Sequence, residues 1–187
     1  MNKRERLQKA LAGESVDRLP VALWRHWPGD DQRAADLARA TVEFQNRYDW
    51  DFVRMMPAST YTALDCGAKD TRRNDCSGDR EITKFAVTRS LEWTELRPLD
   101  PARGSSGRYF EALRLTRQHL DEETPVIATI YSPLAHAERI SGSARLFRDM
   151  RTHPDRLRSG LSALTESTLR FIEALKYENI DGICYVI

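Results

Sequence analysis

The chain has 187 residues, with 29 Lys and Arg against 28 Asp and Glu and a formal net charge of +1. That length suffices for one ordinary domain with a sizeable core, and the even charge removes the electrostatic case for nucleic acid or an anionic membrane as a partner. Three scattered cysteines, Cys66, Cys76 and Cys184, argue against a disulfide framework and show neither CxxC nor zinc-ligand spacing. The basic opening residues have no apolar stretch behind them, unlike a signal peptide, and no run approaches the ~20 apolar residues of a membrane span. A cytoplasmic protein is the expectation.

In chain order, Asn2 to Ala12 reads as a short helix, capped by Asn2 and ended by Gly13. Leu19 to Trp24 reads as a strand, with Pro20 near its start, where a missing N–H costs least. Asp30 or Asp31 is the expected cap of a helix to about Tyr48, whose Ala34, Leu37, Ala38, Thr41, Phe44 and Tyr48 form one stripe. Phe52 to Met56 is a second strand, stopped by Pro57. Asp70 to Asp79 is polar with a Ser-Gly turn, and Glu81 to Thr88 alternates like half of a β-hairpin. "RPLDPARGSSG" reads as a loop and Arg108 to Leu120 as a helix. Pro125 to Tyr131 is a third strand. Helices follow from about Leu134, the clearest from Pro154 to Lys176, and "IDGICYVI" is a fourth strand.

Alternating β and α segments with apolar strands imply an α/β fold: a parallel sheet covered by helices. A (β/α)8 barrel needs about 250 residues. Four β/α units with a β-hairpin insert therefore read as the first half of such a TIM-type barrel, a single domain over residues 1–187. A small open α/β sheet is the alternative.

The stretch "RERLQKALAGESVDRLPVALWRHW" resembles the start of the uroporphyrinogen decarboxylase superfamily: a short helix, a Gly-Glu-x-x-Asp-Arg-x-Pro turn (Gly13 to Pro20) and a strand ending in arginine, here Arg25. "YDWDFVRMMPASTYTALDCGA" and "TPVIATIYSPLAHA" fall where that family has its second and third barrel strands, and "IDGICYVI" resembles the family strand often written Asp-Gly-Ile-x-Tyr. The resemblance implies a (β/α)8 barrel with its chemistry at the C-terminal strand ends. It implies cofactor-free decarboxylation of an anionic tetrapyrrole, or a corrinoid- or thiol-dependent methyltransferase whose zinc ligands lie in the second half. The chain departs from the decarboxylase pattern. Arg25-His26-Trp27-Pro28-Gly29 lacks the second arginine, Ala58 stands where the essential aspartate falls, and Arg139 stands where a tyrosine falls.

At a barrel strand end, Arg25 is expected to clamp a substrate carboxylate, and His26 to be a proton donor or a hydrogen-bond partner. Tyr131, Ser132 and Tyr185 are candidates for hydrogen bonds to the same small anionic, tetrapyrrole-like ligand. Trp24 and Trp27 can wall a planar ligand. His119, His136 and His153 read as surface or capping residues. No metal site and no cofactor is expected from these residues. Because four units do not close a barrel, the third reading is an inactive fragment or a homodimer that hides its open sheet.

Overall fold

The computed structural model describes residues 1–73 and 75–187; the expected polar stretch Asp70 to Asp79 therefore lies outside the described residues at Asn74 alone. The elements are α1 (Lys3–Leu11), α2 (Ala34–Tyr48), β1 (Val53–Met55), α3 (Tyr61–Asp65), β2 (Lys69–Arg72), β3 (Arg80–Lys84), α4 (Gly104–His119), β4 (Val126–Tyr131), α5 (Pro133–Ser141), α6 (Ser143–Thr152), α7 (Pro154–Leu175) and β5 (Gly182–Val186). Two 3-10 turns, Asp30–Gln32 and Ser90–Glu95, punctuate them. Among the described residues no helix is long and apolar enough to cross a membrane.

The sheet runs β1-β4-β5, all parallel, and β2-β3 form a separate antiparallel hairpin. Consecutive barrel strands are thus joined through helices, the connection that parallel pairing requires. Pairing sets Val53 against Val126 and Met55 against Ala128, and all four pack with Leu37, Tyr109, Leu113 and Phe171 beneath the helices. The opposite face of the same strands carries Arg54, Ile127, Thr129, Tyr131 and Cys184, because side chains alternate along a strand and register-paired residues share a face. That second face is the barrel interior.

Four expectations are corrected. Leu19 to Trp24 lies beside β1 but forms no ladder. The Val21 carbonyl accepts from the Asp51 N–H at 2.9 Å, while the Val21 N–H turns to the Asp51 carboxylate at 2.8 Å. A side chain thus takes the donor that a ladder would use, and Pro20 has no N–H to offer. Neither Asp30 nor Asp31 caps α2, since both belong to the 3-10 turn and Arg33 stands at the cap. Helix α4 begins at Gly104, inside the expected loop. The Asp65 carboxylate reaches over from α3 and accepts the N–H groups of Ser105 at 2.6 Å and Ser106 at 2.8 Å, a cap supplied from 40 residues away. Gly104, at φ +60°, lets that carboxylate approach, because a Cβ there would sit 2.2 Å from Asp65 Oδ1. His136 is core rather than surface, 3% exposed, with Nε2 3.6 Å from Cys66 Sγ.

The Gly-Glu-x-x-Asp-Arg-x-Pro turn braces the N-terminal end of the sheet. Arg6 pairs with Asp17 and Asp51 at 2.7 Å each, and Arg18 joins the same Asp51 carboxylate, which is 1% exposed. Two guanidiniums and a backbone N–H outweigh the burial of Asp51 and hold its carboxyl below the usual range.

Candidate functional site

The C-terminal ends of the strands gather residues 24–28, 56–60, 131–132 and the hairpin β2–β3. The hairpin is fastened by Asp70. Its carboxylate receives Arg80 in a two-point grip, Nε at 2.6 Å and the outer nitrogen at 2.9 Å, and also the Thr60 hydroxyl. Burial works against this charge, but Arg80 and Thr60 prevail and the Asp70 carboxyl is held low. The Arg80 N–H adds a bond to Ser59 Oγ at 3.3 Å. This clamp brings Gly78 and Asp79 down onto the Trp24–Pro28 segment. A Cβ on Gly78 would lie 2.9 Å from Pro28 and 3.1 Å from His26. His26 Nε2 stands 3.7 Å from Asp79 Oδ1, so the imidazole and a carboxylate meet at the rim.

Arg25 is exposed. Its guanidinium lies 4.9 Å from the centre of the Trp27 ring and its Nε donates to the His26 carbonyl at 3.2 Å. Trp27 is in turn fixed edge-on to Phe44 at 5.6 Å. Tyr131 is buried at the end of β4, beside Tyr61 at 5.8 Å and under the Arg139 guanidinium at 4.1 Å. Burial raises its phenol, and Arg139 opposes the rise. Ser132 is the N-cap of α5: its Oγ accepts the Ala135 N–H at 3.1 Å, and its own N–H ties β4 to the Val186 carbonyl at 2.8 Å. Tyr185 pairs with Ile130 and so projects to the helix side of the sheet, away from the interior face that holds Cys184. The structure therefore brings His26 and Tyr131 to one mouth, sets Arg25 at its outer rim, and puts Tyr185 on the opposite face.

The residue that sequence reading passed over is Arg54. It lies within a three-residue strand whose neighbours, Val53 and Met55, are core, so strict alternation points it inward. Its Nε donates to Thr129 Oγ1 at 3.2 Å, and its guanidinium lies 4.5 Å from the centre of the Trp24 ring. Thr129 is itself pinned, donating its hydroxyl to the Met55 carbonyl at 2.8 Å and its N–H to the Tyr109 hydroxyl at 2.7 Å. The cue was a charged residue at the centre of an otherwise apolar strand. No three His, Cys, Asp or Glu side chains among the described residues converge to hold a metal. Cys66 and His136 are only a pair, with burial pushing the thiol up to about 12 and the imidazole down to about 4. These donors do not fit a zinc centre.

The sequence matches the family described as Uroporphyrinogen decarboxylase (URO-D) over residues 2–186. It is 22% identical over 198 residues to the methylcobamide:CoM methyltransferase MtbA of Methanosarcina acetivorans, covering 98% of this chain and 57% of that protein. A methyltransferase from Methanosarcina mazei superposes with a TM-score of 0.83 at 19% identity, covering 98% of this chain and 58% of that one. The chain thus spans under two thirds of the length of both, and its fold is that of part of a TIM barrel. With a match running from residue 2 to residue 186, the chain belongs to the uroporphyrinogen decarboxylase (URO-D) family.

Proposed function

We propose that residues 1–187 are the substrate-binding half of a barrel that performs methyl transfer on a small acidic substrate, in the manner of the methyltransferases it resembles. The observation that carries this reading is the end of β1. A decarboxylase of the family needs a carboxylate there to hold a pyrrolic cation, and the chain offers Ala58, an apolar side chain 5% exposed. The groups presented to the mouth instead include two arginines, Arg54 and Arg139. Cations there attract an acid and do nothing for a developing pyrrolic cation. The decarboxylase reading keeps one observation, an imidazole beside a carboxylate at the rim, with His26 Nε2 3.7 Å from Asp79 Oδ1.

A second copy is the proposed cover of the open sheet. The cytoplasm remains the proposed compartment, in keeping with three free thiols. The test is methyl transfer from a methylcobamide to CoM, run beside carbon dioxide release from uroporphyrinogen with the same protein. Methyl transfer without carbon dioxide release is the expected result. Carbon dioxide release alone replaces the reading with decarboxylation, and neither activity supports a binding or inactive chain.

A further inference from the structure

Other arginines near the interior have their outer N–H groups spent. Arg6, Arg18 and Arg80 each meet a carboxylate, and half-buried Arg108, which has no ion pair among the described residues, donates to the Gln32 carbonyl at 3.0 Å and to Ser105 Oγ at 2.7 Å. Arg54 and Arg139 are half-buried and, among the described residues, form no ion pair. Arg54 commits only its Nε–H, to Thr129, and Arg139 rests on Tyr131 without a hydrogen bond among the described residues. Each guanidinium lies over an aromatic ring, Trp24 for one and Tyr131 for the other. Neither ring contact consumes the outer N–H groups, the fork that receives a carboxylate through two parallel bonds.

The two guanidiniums rest on one strand. Arg54 is anchored on Thr129 and Arg139 on Tyr131, and these anchors are consecutive residues on one face of β4, roughly 7 Å apart at the rise of a strand. Asp79 is the carboxylate on this side of the mouth; it faces His26, and its charge also reaches the Tyr131 phenol.

We infer that the mouth takes a ligand bearing two carboxylates, one in the fork of Arg54 and one in the fork of Arg139, and that Arg25 is not part of this grip. This rests on reading the strand ends as the substrate mouth and adds the substrate class.

Titration calorimetry of the 187-residue protein at low salt, with glutarate and its monomethyl ester as probes, tests the inference. Glutarate should bind about ten times or more tightly than the monoester, since a second bidentate charged contact is added. Arg54→Gln and Arg139→Gln should each bring glutarate down to the monoester level, and Arg25→Gln should leave it unchanged. A second readout needs no arginine variant: glutarate should change tryptophan emission in the native protein, and Trp24→Phe should abolish that change. Equal binding of the two probes, or no glutarate binding by the native protein, overturns the inference. Loss of binding in Arg25→Gln alone overturns it too, while leaving the mouth as the substrate site.

Discussion

His136 shows how much one buried side chain can govern. Burial depresses its imidazole to about 4, opposed by a hydrogen bond to the Thr62 backbone, so the folded protein holds it neutral at pH 7. In the unfolded chain the same group titrates near 6.5. A base depressed in the folded state gives stability that is full above the unfolded value and lost as pH falls towards the folded one. Between pH 7.5 and pH 5 the expected loss is about 2 kcal/mol from this residue alone. Denaturant unfolding at the two pH values measures it, and His136→Gln should remove that part of the slope; an identical slope in the variant contradicts the assignment. Sequence reading placed His136 at the surface because a lone histidine on a helix carries no mark of the thiol 70 residues away that packs against it.

At the scale of elements, legibility follows the range of the interaction. Helix α7 and strand β4 were readable because their apolar residues repeat at the period of their own structure. The start of α4 was not, because "RPLDPARGSSG" has the composition of a loop and its last turns become helix through Asp65 of α3. The first strand failed for the same reason: an aspartate at position 51 takes the N–H of Val21. Asp65→Ala should cost about 1–2 kcal/mol, the usual worth of a helix cap. Amide hydrogen exchange should then lose protection from Ser105 to Gly107 while the rest of α4 keeps it. Retained protection in that turn would show that the helix starts without its cap.

For the whole molecule, the half-barrel was legible from the alternation of strands and helices and the hairpin insert, and the observed β1-β4-β5 order agrees. What the pattern could not give was which face of the sheet does what. Tyr185 and Cys184 are neighbours in sequence and lie on opposite faces, so a one-residue difference separates a helix-side residue from an interior one. Ile183 and Tyr185 are 43% and 46% exposed on the helix side of β5, and Leu19 and Leu23 are 76% and 58% exposed at the other margin. These exposed apolar residues are the ones that the proposed second copy would cover. Sedimentation of the 187-residue protein should show reversible self-association, weakened in the double variant Ile183→Lys, Tyr185→Lys. A monomer at all concentrations would remove the second copy as the cover.

The account turns on the acid binding at the C-terminal ends of the strands, inside the barrel. The opposite end of the sheet holds a cavity of about 420 Å³ lined by Arg4 and Arg117 but also by Glu122 and Glu123, and both arginines pair with Asp181, so it is the comparison site for any acid that binds. Backbone amide shifts followed during a glutarate titration decide between the two ends. Movement confined to Arg54, Thr129, Tyr131 and Arg139, with their neighbours in the hairpin, is the result predicted; movement centred on Arg4, Arg117 and Asp181 would contradict it.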